Sequence, residues 1–312
     1  ETTENTKKLT VYCPHPLEFI DPLVKEFEVK YGVSVEVIAA GTGELMKRIE
    51  SEKDNPLADV LWGGTITTVE PIKDYFLPYT SKNEEAFYDS YKNVEGNMTR
   101  FTAVPSVIMV NKNLIGDIKI EGYQDLLNPA LKGKIAFSDP AKSSSSFEHL
   151  VNMLYAMGNG NPDNGWSYVE KLMDNLNYTL LSGSSAVYKG VADGEYTVGL
   201  TFEEGAVKYV NSDAPVEVVY MEEGVIVKPD VVYIVKNCKN LENAKLFVDF
   251  LTGKEAQSMI TAQLNRRSIR KDVEPGKGLK KLEDINVIED DLEVVKSQKA
   301  VWLDKFKDIY TK

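Results

Sequence analysis

Three apolar runs, KLTVY (8–12), VSVEVIAA (33–40) and ADVLWGG (58–64), are separated by stretches with helical periodicity at 17–31 and 41–53. In the first helical stretch Phe19, Leu23, Val24 and Phe27 fall on one face. ADVLWGG is nearly all apolar, as a strand covered on both faces should be. Strands that alternate with helices are joined by crossovers, so this order specifies βαβ units and a parallel sheet.

The pattern continues down the chain. FTAVPSVIMVNKNLI (101–115) reads as a long extended stretch that carries the chain into a second lobe near residue 105. A short helix, loop and strand follow over 123–140, then helices over 143–157 and 162–176. SGSSAVYKGVADG (182–194) is a loop entering a helix, YTVGLTF (196–202) a strand, and EEGAVKYVNSD (203–213) a short helix. Two strands within 216–237 enclose a turn-rich segment, the return crossover, which leaves the second lobe near 225. Two helices occupy 240–263, and the C-terminal tail reads as mostly helical. The expected fold is therefore α/β: two doubly wound α/β lobes joined by crossover hinge strands. Lobe 1 is 1–104 plus 226–275, lobe 2 is 105–225 plus 276–312, and a cleft for ligand lies between them.

With 43% hydrophobic and 10% aromatic residues, the chain has the composition of a globular protein. No apolar run reaches the ~18–20 residues that span a bilayer. A net charge of −12 lacks the basic footprint of nucleic-acid binding. Cys13 and Cys238 cannot form a zinc site; they are either a disulfide or two free thiols, and the second reading is preferred because one falls at the ligand end of a strand and the other at the far end of another. The start, ETTENTKKLTVY, has no apolar h-region; it reads as a polar mature end left after removal of a leader or lipid-anchor segment. Motifs of zinc proteases, serine hydrolases and P-loops are absent, and two histidines leave few general bases.

Binding residues in open α/β sheets lie beyond the carboxyl ends of strands. Four such junctions share one chemistry, small residues or hydroxyls entering a helix: Gly41-Thr42-Gly43, Gly63-Gly64-Thr65, Ser143–Ser146 and Gly183-Ser184-Ser185. Free backbone N–H groups at helix N-termini attract anions, and hydroxyls add hydrogen bonds. Of the serine run, Ser143 or Ser144 is expected to cap its helix, leaving the other hydroxyls for a ligand. Glu203 and Glu204 after TVGLTF, Glu222 and Glu223 before the return crossover, and Asp230 within it would instead accept hydrogen bonds from hydroxyl or ammonium groups. The reading is a ligand with one anionic end and one polyhydroxyl or amino end. His15, just past the first strand, could donate to a phosphate or cap a turn; His149, inside a helix, reads as structural or surface. Tyr12, Trp62, Tyr188 and Phe202 sit near these loops as core packing or ligand stackers.

From GTGELMKRIESEKDNPLADVLWGG (41–64) onward, the sequence resembles the type II periplasmic binding proteins of ABC importers, in the ferric, sugar-phosphate and phosphonate group. The resemblance includes DPAKSSSSFEHLVNML (139–154), GSSAVYKGVADGEYTVGLTFEEGAVKY (183–209) and the segment 214–257. Ferric binders of this kind carry adjacent tyrosines just after the strand matching Thr197–Phe202, where this chain has Glu203-Glu204-Gly205. Acidic residues there, with Glu-Gly before the return strand, are similar to the hexose-phosphate binders. The resemblance implies phosphate contacts at Thr42, Thr65, Ser144, Ser184 and Ser185, and sugar-hydroxyl contacts at Glu204 and Glu223. The full candidate ligand set is His15, Thr42, Gly43, Thr65, Ser143, Ser144, Ser145, Ser184, Ser185, Glu203, Glu204, Glu223 and Asp230. It further implies a monomeric, extracytoplasmic, non-enzymatic carrier with no cofactor, which delivers a small phosphorylated ligand to a permease and its ATPase. The alternatives are a cation binder of the same fold using Glu203, Glu204 and His15, a phosphate-ester hydrolase, or a sensor lobe.

Overall fold

The structure, a computed structural model, describes residues 7–312; the polar start at 1–6 lies outside the described residues. Along the chain the elements are β1 (Lys8–Cys13), α1 (Leu17–Tyr31), β2 (Ser34–Ala39), α2 (Thr42–Ser51), β3 (Val60–Thr65), α3 (Ile66–Val69) and β4 (Thr99–Asn111). Then come β5 (Ile135–Ala136), α4 (Ser144–Met157), α5 (Trp166–Asn175), α6 (Ser184–Ala192), β6 (Val198–Phe202), α7 (Glu203–Asn211), β7 (Val216–Val219) and β8 (Val227–Ile234). The chain ends with α8 (Leu241–Leu251), α9 (Lys254–Gln263), β9 (Arg267–Ser268) and α10 (Leu292–Tyr310). It divides into two compact units, 1–103 with 228–274 and 104–227 with 275–312.

In the first unit β1 pairs in parallel with β2 and β3, and β3 pairs antiparallel with β8. The period-2 pattern sends alternate side chains to opposite faces. Leu9, Val11 and Cys13 of β1, with Val60 and Trp62 of β3, join a core with Phe19, Leu23 and Phe27 of α1 and Phe247 and Val248 of α8. Tyr12 and Leu61 face the other way, onto Leu45 and Ile49 of α2 and onto Val69, Ile72 and Phe76. A sheet buried on both faces in this way needs strands as apolar as ADVLWGG. Cys13 and Cys238 are both free thiols.

In the second unit β4 lies between β6 and β7, antiparallel to both, and β5 adds in parallel to β6. A parallel bridge from Ser138 to Leu181 places the lead-in to α6 beside the exit of β5. Helix α4 packs on β6, α5 on α4, and α10 on α5 through an apolar face that buries Trp302, Phe306 and Ile309.

The C-terminal expectation needs correction. Between Gln263 and Leu292 the chain forms β9, isolated β-bridges at Arg270 and Val287, and a 3-10 turn at Leu282–Asp284, with no α-helix. The segment NRRSIRKDVEPGKG lacks an apolar stripe; it is held by short backbone pairings to β4 and Phe87 and by side-chain bonds, Arg270 Nε donating to Asp272 at 2.8 Å and its Nη1 to the Thr252 carbonyl at 3.0 Å.

Candidate functional site

Parallel strands put the starts of their following helices along one edge of a sheet. In the first unit this brings together the loops after β1, β2 and β3. A Cβ added to Gly63 would lie 2.8 Å from the Pro14 ring and 3.1 Å from His15 Nε2; one added to Gly64 would lie 3.1 Å from Thr42 Cγ2. Both glycines have positive φ, 127° and 83°, a backbone that side-chain-bearing residues rarely adopt. The β3–β8 register shifts between Trp62 and Thr65 at the same place, leaving Thr65 opposite Asp230.

Asp230 is the electrostatic centre of this corner. It is 5% exposed. Its Oδ2 accepts from Arg266 Nη1 at 2.7 Å and lies 3.2 Å from His15 Nε2. Its Oδ1 accepts from the Thr102 amide at 3.0 Å and from the Thr102 hydroxyl. Burial opposes the carboxylate charge, but Arg266, His15 and Thr102 outweigh it and hold the carboxyl below its ordinary range. The His15 ring is packed by Phe19, Trp62 and Phe101, at centroid distances of 4.9, 5.7 and 6.3 Å. The Arg266 guanidinium lies over the Phe19 ring at 4.7 Å.

In the second unit α4, α6 and α7 all start beyond parallel strand ends: β5, the bridge at Leu181, and β6. The four serines have separate tasks. Ser143 is the N-cap and accepts from the Ser146 amide at 3.4 Å. Ser146 is buried and bonded to the Ser138 hydroxyl. Ser145 is half-buried, 3.1 Å from Ser143 Oγ, and Ser144 is exposed. Helix α6 starts at Gly183 with no side-chain cap; Ser184 is half-buried and Ser185 exposed. Helix α7 also starts without a side-chain cap. Gly205 allows close approach of α6, since a Cβ there would lie 2.6 Å from the Tyr188 ring. Tyr188 and Phe202 stack edge-on at 6.0 Å on this rim. Burial, then Tyr209 and Glu204, push the Tyr188 phenol up.

Ser143→Ala is expected to lose about 1 kcal/mol of stability, the usual worth of an N-cap. A urea melt of the ligand-free protein reads it directly.

Several candidates are thus committed inside their own unit. Glu203 is 2% exposed and accepts from the Tyr220 hydroxyl at 2.5 Å, so it points inward. Glu223 lies against Gly122 and accepts from the Gln124 amide at 3.1 Å, which fastens that loop. Asp230 serves Arg266, His15 and Thr102, and His15 is held by Asp230 and its aromatic nest. Thr65 caps α3, accepting from the Thr68 amide at 3.3 Å. Thr42, Gly43, Ser144, Ser145, Ser184, Ser185 and Glu204 remain exposed or half-exposed at their helix starts. Tyr12 and Trp62 are core residues. His149 is buried: its Nε2 bonds the Val107 carbonyl at 2.8 Å, and its Nδ1 accepts from the Tyr123 hydroxyl at 2.9 Å. Arg266 was missed by sequence reasoning; the signal was three arginines within NRRSIR in an acidic chain. Among the described residues no three His, Cys, Asp or Glu side chains form a metal-holding group.

Two α/β units, each with helix starts gathered at the carboxyl edge of its sheet, are the construction of a type II periplasmic binding protein. Residues 57–285 match the bacterial extracellular solute-binding proteins, and the chain belongs to that family. A probable ABC transporter periplasmic-binding protein of Sinorhizobium fredii is 25% identical over 83% of this chain and 73% of its own length. The periplasmic binding protein AfuA of Actinobacillus pleuropneumoniae, solved with fructose-6-phosphate bound, is 27% identical over 97% of this chain and 98% of its own, with a TM-score of 0.77. A solved two-component system protein that mediates signal transduction is 33% identical over 90% of this chain and 94% of its own, with a TM-score of 0.75. The chain is therefore an extracellular or periplasmic solute-binding protein of the ABC-importer kind, a carrier rather than an enzyme; its homologues work with a permease and an ATPase. Among the described residues no helix is long and apolar enough to cross a membrane.

Proposed function

We propose that the carried solute is a small phosphorylated compound, a hexose phosphate or a related organophosphate or phosphonate. The observation that carries this reading is the rim of the second unit. Hydroxyls at Ser144, Ser184 and Ser185, with Ser145 beside them bonded to Ser143, adjoin first-turn amides at helix starts, and Glu204 stands half-exposed at the start of α7. Hydroxyls and amides suit phosphate oxygens; a carboxylate suits sugar hydroxyls or an ammonium group. The 27%-identical relative with fructose-6-phosphate bound supports the same chemistry. Ferric iron is less well served, since Glu203-Glu204-Gly205 replaces a tyrosine pair after β6 and Glu203 is turned inward onto Tyr220. In this reading the ligand is held by loops of both units in the monomer, and binding shifts the population toward a closed form that the permease recognises.

The test is a thermal-shift and calorimetric series with fructose 6-phosphate, glucose 6-phosphate, inorganic phosphate, 2-aminoethylphosphonate and ferric citrate. A ligand at a hundredfold excess over its Kd stabilises the protein by about 2.7 kcal/mol. A response to a phosphorylated ligand supports the reading. A response to ferric citrate alone, with a visible charge-transfer band, sinks it. A second reading follows from the 33%-identical two-component protein: the liganded form is read by a membrane sensor as well as, or instead of, a permease. Ligand-dependent capture of a sensor-kinase ectodomain by the purified protein decides between them.

A further inference from the structure

The chain passes between its units at 103/104 on β4 and at 227/228 on β8. In each unit, buried polar side chains bond to both of those strands or their immediate ends. In the first unit the group is Asp230. It stands on β8 and accepts from the backbone and hydroxyl of Thr102, the residue before Ala103 on β4. Thr102 and Ala103 are also paired with β9, which follows directly on Arg266. In the second unit the principal group is Asn152 of α4, fully buried. Its Nδ2 donates to the Gly224 carbonyl at 2.9 Å, and its Oδ1 accepts from the Ile226 amide at 2.8 Å, just before β8. The Ile226 carbonyl in turn accepts from Ser106 of β4 at 3.4 Å, and His149, one turn earlier on α4, bonds Val107 of β4 at 2.8 Å.

Asp230 also sits beside helix starts of the candidate site, whereas Asn152 and His149 lie about one to two turns along α4 from its start. Asp230 is opposite Thr65 and adjoins His15. Asn152 and His149 share α4 with Ser144 and Ser145. An axial shift of α4 would strain its bonds to Gly224, Ile226 and Val107. We infer that Asp230 and Asn152 are positioning residues that couple the loops at the sheet edges to the strands on which the chain crosses. This rests on the reading that those loops touch ligand; the coupling itself can be measured without any ligand.

The experiment compares the wild type with Asp230→Asn and Asn152→Asp. Asp230→Asn keeps the shape and removes the charge. Asn152→Asp keeps the acceptor for Ile226 and sets a carboxylate against the Gly224 carbonyl. Native-state hydrogen exchange is followed in the ligand-free protein. Asp230→Asn is expected to speed exchange at least tenfold both at 63–65 and at 101–103 with 228–231. Asn152→Asp is expected to do the same at 143–147 and at 104–107 with 224–227. Should Asn152→Asp not fold, Asn152→Ser carries the comparison. Tyr79→Phe is the control: it deletes a 2.8 Å bond to Asp249 that involves neither crossing strand, and should change none of these segments. Unaltered exchange in the crossing strands, or an equal change in the control, overturns the inference. Spin labels at Val29→Cys and Val301→Cys, both exposed, in a Cys238→Ser background then report the response to fructose 6-phosphate. A wild type whose label distances ignore that compound sinks the ligand reading, while the exchange result still decides the coupling.

Discussion

Ser144→Ala with Ser185→Ala should weaken binding of fructose 6-phosphate by a hundredfold or more while leaving the urea midpoint of the empty protein unchanged. Charge-assisted hydrogen bonds contribute about 1.5–3 kcal/mol each, and every 1.4 kcal/mol is about tenfold in affinity. The separation of the two readouts follows from the division of labour in the serine run. Ser143 and Ser146 make the cap and the buried bond to Ser138, whereas Ser144 and Ser185 are exposed. Calorimetry and urea melts on the same preparations check both halves. A double variant that binds as tightly as the wild type removes these hydroxyls from the site. One that loses several kcal/mol of apo stability makes them structural.

Acid should destabilise the protein through His149. Burial is the main cause that lowers this imidazole from 6.5 to about 4. Its neutral form fits its surroundings, with one nitrogen donating to the Val107 carbonyl and the other accepting from Tyr123. A histidine whose folded value lies below its unfolded value binds its proton first in the unfolded state. Stability is therefore intact above pH 6.5, falls as pH drops toward 4, and stays at a constant deficit below that. At about 1.4 kcal/mol for each pH unit the loss is about 3 kcal/mol. Carboxylates held low, such as Asp230, lose stability in the same direction at still lower pH, so the histidine must be isolated by difference. The stability gap between wild type and His149→Gln should narrow by about 3 kcal/mol between pH 7 and pH 4. A gap that does not change with pH assigns the acid response elsewhere.

The fold was legible because its signal is periodicity. The run at 58–64 is apolar enough to bury both faces as an inner strand, and β3 does so beside β1, while 33–40 forms the partly exposed edge strand β2. The stretch 264–291 was illegible because it is held by arginine bonds to a few carboxylates and carbonyls and by backbone pairings one or two residues long, which leave no period. For the site, sequence located the junctions but not the direction of each side chain. Glu203 and Glu204 are neighbours on the first turn of α7, and a turn of about 100° per residue sends one to Tyr220 and leaves the other half-exposed. Nothing local to VIVKPDVVY discloses that Asp230 meets Arg266, since the partner is 36 positions away.

Neither unit is a continuous piece of chain: one needs 228–274 and the other 275–312 to be complete. As synthesis proceeds, β1 and β3 wait for Phe247, Val248 and Ile260 to cover one face, and α5 waits for α10. The first unit therefore stays incompletely packed until 228–274 has been made, and the second until 275–312 has, so neither core can set on its N-terminal part alone.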